Sequence, residues 1–354
     1  MKKSYFVFGL IGLLALSLGI MSGCGSAASS SGGGGATVIS NSVFFVRSFG
    51  ETASRTKEVM SMLKDGSNVL RLTNSPTNEN IMYLAVSPDG TKVAFSRYNY
   101  GEGTYRIYLI NPDGSNLQVV STGEYKFCWS PDSHKLAYVA PGNDIYMVNI
   151  SDLYTKVLVT GETGSSPPSW SKNGNMIAYP ATGFTELCIA YLNGLTVTST
   201  ESIITGTSVS RPVFSPTDNN ILVFAESSQL NKIDLATRSL VTFETSIDPQ
   251  GRPVWAPDGS SVYYDDSGAG RNIYKYEFGA SRTTVCTGGS DYNYLPTIYP
   301  GVTDRLYVTR FYSSMLGSTA EVVSMNLDGS DQQRLTDNAV LDCMSPTTIN
   351  MESY

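Results

Sequence analysis

The chain has 354 residues, 11% aromatic and only 16% charged, with a formal net charge of −7. An acidic surface with few charges excludes nucleic acid as a partner and excludes charge-driven binding to an anionic membrane. The five cysteines include no C-x-x-C, so metal-ligand spacing is absent.

Residues 1–23 read as an export signal, with a basic start (Lys2, Lys3), an apolar run from Tyr5 to Ile20, and Met21-Ser22-Gly23 before Cys24. The ending "MSGC" resembles a bacterial lipobox, which implies cleavage before Cys24 and lipidation of that residue. An ordinary signal cut near Ala27 or Ala28 is the alternative. The stretch 24–36 is the lipidated Cys followed by "GSAASSSGGGGA", a flexible tether with a reach of ~20 Å. Losing Lys2 and Lys3 with the signal takes the charge from −7 to −9. The expected location is an exported, membrane-anchored one. Gly25 after the Cys favours the outer membrane if the cell has one.

From 37 to 354 the sequence repeats. "VSPDGTKVAFS" at 86 returns as "WSPDSHKLAYV" at 129, "WSKNGNMIAYP" at 170, "FSPTDNNILVF" at 214 and "WAPDGSSVYYD" at 255, and more weakly as "IYPGVTDRLYV" at 298. The spacing is 41 to 44 residues. A second half-pattern follows each copy, as in "YRIYLINPDGSNLQVVST" at 105 and "AEVVSMNLDGSDQQRLTD" at 320. Each half is a pair of short strands around a tight turn, with Pro, Asp and Gly supplying the turn geometry. Four antiparallel strands per period make one propeller blade.

The pattern W-S-P-D-G-x-K with its following I-Y…D-G-S half resembles the TolB-type β-propeller repeat, a relative of WD-repeat blades, over roughly residues 43–350. The chain lacks the amino-terminal α/β domain of TolB itself. The resemblance implies an all-β propeller and leaves function open. The first unit, from Val43, has no inner strand, and the chain ends on the inner-strand fragment "LDCMSP". Joining the two predicts seven blades closed by the C-terminal strand, or six if the weak copy is discounted. Inner-strand pairing by "ATVIS" at 36–40 is the alternative closure.

No catalytic residue, metal or cofactor is expected. The single histidine, His134, falls in a turn, and no G-x-S-x-G elbow is present. Asp89, Asp113, Asp132, Asp258 and Asp328 fall in the repeated turns, where Asp accepts backbone N–H groups. Asp265 and Asp266, with Glu226, are the acidic groups a carboxylate-based glycan hydrolase or lyase would use. Cys128, Cys188, Cys286 and Cys343 fall on predicted strands and read as buried free thiols, with a disulfide left open.

The TolB-type fold implies that loops between second and third strands rim the channel. Those loops are aromatic here: Phe49 in blade 1, Tyr98 and Tyr100 in blade 2, Phe311 and Tyr312 in blade 7, with Tyr292 and Tyr294 at the start of blade 7. Ring closure would make blades 7, 1 and 2 neighbours. Aromatic hot spots suit a protein or glycan partner, so the expected function is that of a monomeric, non-catalytic binding protein of the envelope. An assembly scaffold is the further alternative.

Overall fold

The computed structural model describes residues 42–346 apart from 50–55, 123–125, 161–165, 207, 249–250, 267–270, 290–291, 300–301, 312–319 and 337–342. Cys24, the signal, the tether and Tyr312 lie outside the described residues. Seven four-stranded antiparallel sheets are formed. Blade 2 is typical: Glu79–Val86, Val93–Asn99, Thr104–Ile110 and Gln118–Thr122 from the channel outwards. The inner strands of blades 3 to 7 are Phe127–Trp129, Ser169–Trp170, Val209–Phe214, Val254–Trp255 and Tyr292–Tyr299.

Blade 1 is composite. Its inner strand, Cys343–Pro346, pairs antiparallel with Ser42–Phe49, and Thr56–Leu63 and Leu70–Arg71 complete it. Seven blades and a C-terminal latch are therefore as expected. The inner position beside Ser42–Phe49 is held by Cys343–Pro346; residues 36–40 lie outside the described residues.

Closure is visible in the core. Seven apolar clusters each draw on two adjacent blades, and the blade 7–blade 1 cluster joins Tyr307, Val322 and Leu335 to Val43, Phe45, Met60 and Met62. The repeated tryptophan serves these interfaces. Trp129 Nε1 donates to Ala85 O and Trp255 Nε1 to Val213 O, each at 3.1 Å and each in the preceding blade. At these two positions a large ring is thus buried with its one polar atom satisfied, whereas Trp170 Nε1 in blade 4 is buried without an acceptor.

The Ser-Pro-Asp turn is also explained bond by bond. Buried Ser87 donates to Asp89 Oδ1 at 2.6 Å and accepts the Lys92 N–H at 2.9 Å. Ser130 repeats both contacts with Asp132 and Lys135. Blade 3 lacks the turn glycine. Ser133 takes the left-handed angle (φ +62°), and its Oγ accepts the Asp89 N–H of blade 2 at 3.0 Å. An unfavourable backbone angle is thus offset by a bond between blades.

Asp65, Asp113, Asp258 and Asp328 each accept the N–H and the hydroxyl of the serine two residues on. These bonds lower the carboxyl pKa values. At Asp132 burial acts the other way, but bonds from Lys135, Ser130 and the His134 N–H hold the carboxyl at about 2. A depressed folded pKa stabilises above the unfolded value and is lost as pH falls through the folded one. Wild type should therefore lose stability between about pH 4 and about pH 2 more steeply than Asp132→Asn. Thermal melts across that window provide the check, and superimposable acid limbs would remove Asp132 from the account.

Candidate partner-binding face

The turns just described lie on one face of the ring. The second-to-third strand loops and the connections between blades lie on the other. Blade 2 supplies the best-built loop there. Tyr98 and Tyr105 are cross-strand partners with ring centroids 4.7 Å apart, and Tyr100 meets Tyr98 edge-on at 5.0 Å. Asn80 Nδ2 donates to Tyr100 Oη at 2.9 Å. Asn99 Oδ1 accepts the N–H groups of Gly101 and Glu102 at 2.9 and 3.1 Å, which closes the loop. The result is a tied hairpin with Tyr98 half-buried and Tyr100 at 60% exposure.

Phe49 has a different role. It is half-buried against the blade 7–blade 1 cluster, with the Arg71 guanidinium 4.8 Å over its ring. Phe311 is half-buried at the end of the second strand of blade 7, opposite Tyr292 and Ala320. Tyr292 and Tyr294 lie on the inner strand of that blade, and their side chains lie outside the description. Blade 1 packs against blade 7 through Cys343–Pro346 and against blade 2 through Ser42–Phe49 and Thr56–Leu63. The three blades are therefore neighbours as expected, and Tyr98 and Tyr100 of blade 2 are in ring contact.

The acidic pair accepts bonds from the backbone. Asp265 is buried and its Oδ1 accepts the Gly251 N–H at 3.0 Å; Asp266 Oδ1 accepts the Asp248 N–H at 3.0 Å. Both carboxylates hold the connection into blade 6. Glu226 accepts from Asn231 Nδ2 at 3.4 Å within its own blade. His134 is exposed on the Ser-Pro face beside Asp132.

Cys128, Cys188 and Cys286 are free thiols, as expected; the Cys343 side chain lies outside the description. Burial pushes the Cys128 thiol up to about 12 and raises Cys286 against the pull of Arg310, whose Nη2 lies 2.9 Å from the sulfur. Such thiols are poor nucleophiles.

Sequence reasoning missed a set of cations at the channel. Lys126, Arg211 and Arg252 each stand three residues before the aromatic of the Ser-Pro turn, and Tyr83 holds the same step in blade 2. Aligning the copies a few residues further upstream was the available signal.

No family model matches the chain, and no curated protein does. Solved structures do. Oligogalacturonate lyases, one in complex with manganese and one from Vibrio parahaemolyticus, are 14% identical with TM-scores of 0.57, covering 83% of this chain and 85% of theirs. A prolyl endopeptidase is 14% identical at TM-score 0.60, over 88% of this chain and 49% of its own. By architecture, this is a seven-bladed β-propeller. A putative TolB from Agrobacterium tumefaciens is 18% identical at TM-score 0.48, over 65% of this chain and 88% of that one. These likenesses concern the fold alone. A manganese site like that of the lyase complex would need a ligand cluster. The described residues bring no three His, Cys, Asp or Glu side chains together, and the sequence holds one histidine.

Proposed function

We propose that this propeller is a non-catalytic, lipid-anchored binding protein of a bacterial envelope, which engages a protein or glycan through the face bearing the second-to-third strand loops. The Tyr98–Tyr100–Tyr105 hairpin carries this reading. A tyrosine exposed to 60% on a hydrogen-bonded loop presents aromatic area at little entropic cost. Cys24 and the stretch 24–36 would anchor the protein to the membrane.

The test is affinity capture from envelope extract with the full chain, beside a Tyr98→Ala/Tyr100→Ala variant. A partner held by wild type should be lost or weakened about tenfold or more in the variant, the range expected for an aromatic hot spot. An unchanged melting temperature would show that the loss is local. Equal capture by both chains would move the interface off blade 2. In the same cells, Cys24→Ser should shift the protein from the membrane to the soluble fraction.

A further inference from the structure

Lys126, Arg211 and Arg252 share one step of the repeat, so the fold sets them at one height around the channel, in blades 3, 5 and 6. This is a cationic band in a chain whose net charge is −7. Arg252 is the informative member. Its Nη2 donates to Pro168 O of blade 4 at 3.4 Å and to Pro212 O of blade 5. Its charge also acts on Cys128 of blade 3 and on the Tyr83 hydroxyl of blade 2, where it opposes the effect of burial. One guanidinium of blade 6 thus bonds carbonyls at the inner strands of blades 4 and 5, which places it in the throat of the channel.

Those partners satisfy N–H groups but bring no negative charge. Among the described residues no carboxylate pairs with Arg252, and its Nε is buried without an acceptor. A half-buried cation without a counter-charge favours capture of an anion from solution. Arg211 is next in sequence to the carbonyl that Arg252 grips. Its backbone takes φ +56° at a bulge in the inner strand of blade 5, held by Ser166 Oγ accepting its N–H at 3.0 Å.

We propose that the channel throat is an oxyanion site, in which Arg252, flanked by Arg211 and faced by the Tyr83 hydroxyl, binds a carboxylate or phosphate group of a ligand. The planar guanidinium fork fits either group, as an ammonium does not. The site is separate from the blade 2 hairpin and does not depend on it.

Calorimetric titration of the purified full chain at low ionic strength, with malonate and with inorganic phosphate as probes, tests the site. One saturable site is expected for at least one of them, and which probe binds tells a carboxylate source from a phosphate one. Arg252→Gln should weaken it about tenfold or more, while Tyr154→Ala, at an exposed turn of blade 3, leaves it unchanged. Wild-type protein gives a readout that needs no variant: bound anion should protect Arg252 from modification by phenylglyoxal, followed by peptide mass. Absence of saturable binding by both probes overturns the proposal. So does an Arg252→Gln affinity equal to wild type, or an Arg252 left unprotected at saturating anion.

Discussion

A chain ending at Asn338 should melt about 10 °C or more below the full protein and should self-associate. The cut removes Cys343–Pro346, the inner strand of blade 1. That strand pairs with Ser42–Phe49 at Phe45, Val46 and Arg47, and it packs on three strands of blade 7. Losing it uncovers the edge of Ser42–Phe49 and removes the strand that joins the two ends of the chain. The blade 7–blade 1 cluster, with Phe45 and Tyr307 fully buried, then closes on one side only. The expected cost is about 5 kcal/mol or more, a large share of the stability of a typical domain. Thermal unfolding and size-exclusion chromatography together measure it. A peptide spanning 339–354, added in trans, should restore part of the loss, because the site for a strand remains. A truncated chain that melts like the full one, as a monomer, would show that the ring closes without this latch.

The fold was legible because its determinants are local and repeated. The Ser and Asp of Ser-Pro-Asp each make bonds within five residues, and the copies recur in register. The split blade was legible because its first part lacked an inner strand and the chain's last part lacked everything else. Sites built across blades were not. Arg282 pairs with Glu244 at 3.0 Å across 38 residues, and Arg252 reaches a carbonyl 84 residues away. No spacing rule connects such residues until the ring is closed. Asp265 and Asp266 accept the N–H groups of Gly251 and Asp248, and backbone donors leave no mark in a sequence. Of the rings, Tyr98, Tyr100 and Tyr105 cluster as adjacent sequence suggests, while the packing of half-buried Phe49 beneath Arg71 joins residues 22 apart.

Glu58→Ala should cost about 3–5 kcal/mol, far more than Arg71→Ala, although the two residues form one ion pair. Glu58 is fully buried at the start of the third strand of blade 1. Its carboxylate accepts the Ser75 N–H at 2.9 and 3.0 Å, the Thr73 hydroxyl at 2.6 Å, the Ser75 hydroxyl at 3.0 Å and Arg71 Nη2 at 2.7 Å. Removing it strands these donors where water does not reach them, and that penalty exceeds the loss of the pair itself. Arg71 is 41% exposed, so its charge is screened and its removal leaves the other bonds to Glu58 in place. About 1 kcal/mol is expected for Arg71→Ala. Blade 7 repeats the device: Glu321 is fully buried beside Arg334, and Val322 N–H donates to Thr336 Oγ1 at 3.0 Å as Val59 N–H donates to Thr73 Oγ1 at 2.9 Å. The two blades that meet at the latch thus share one way of pinning the outer strand and the connection onward. Urea unfolding of the single variants decides the point. Equal costs for Glu58→Ala and Arg71→Ala would make the ion pair the source of stability. A Glu58 cost several times larger would place it in the buried bonds to Thr73 and Ser75, at the very turn where blade 1 hands the chain to the tyrosine-bearing blade 2.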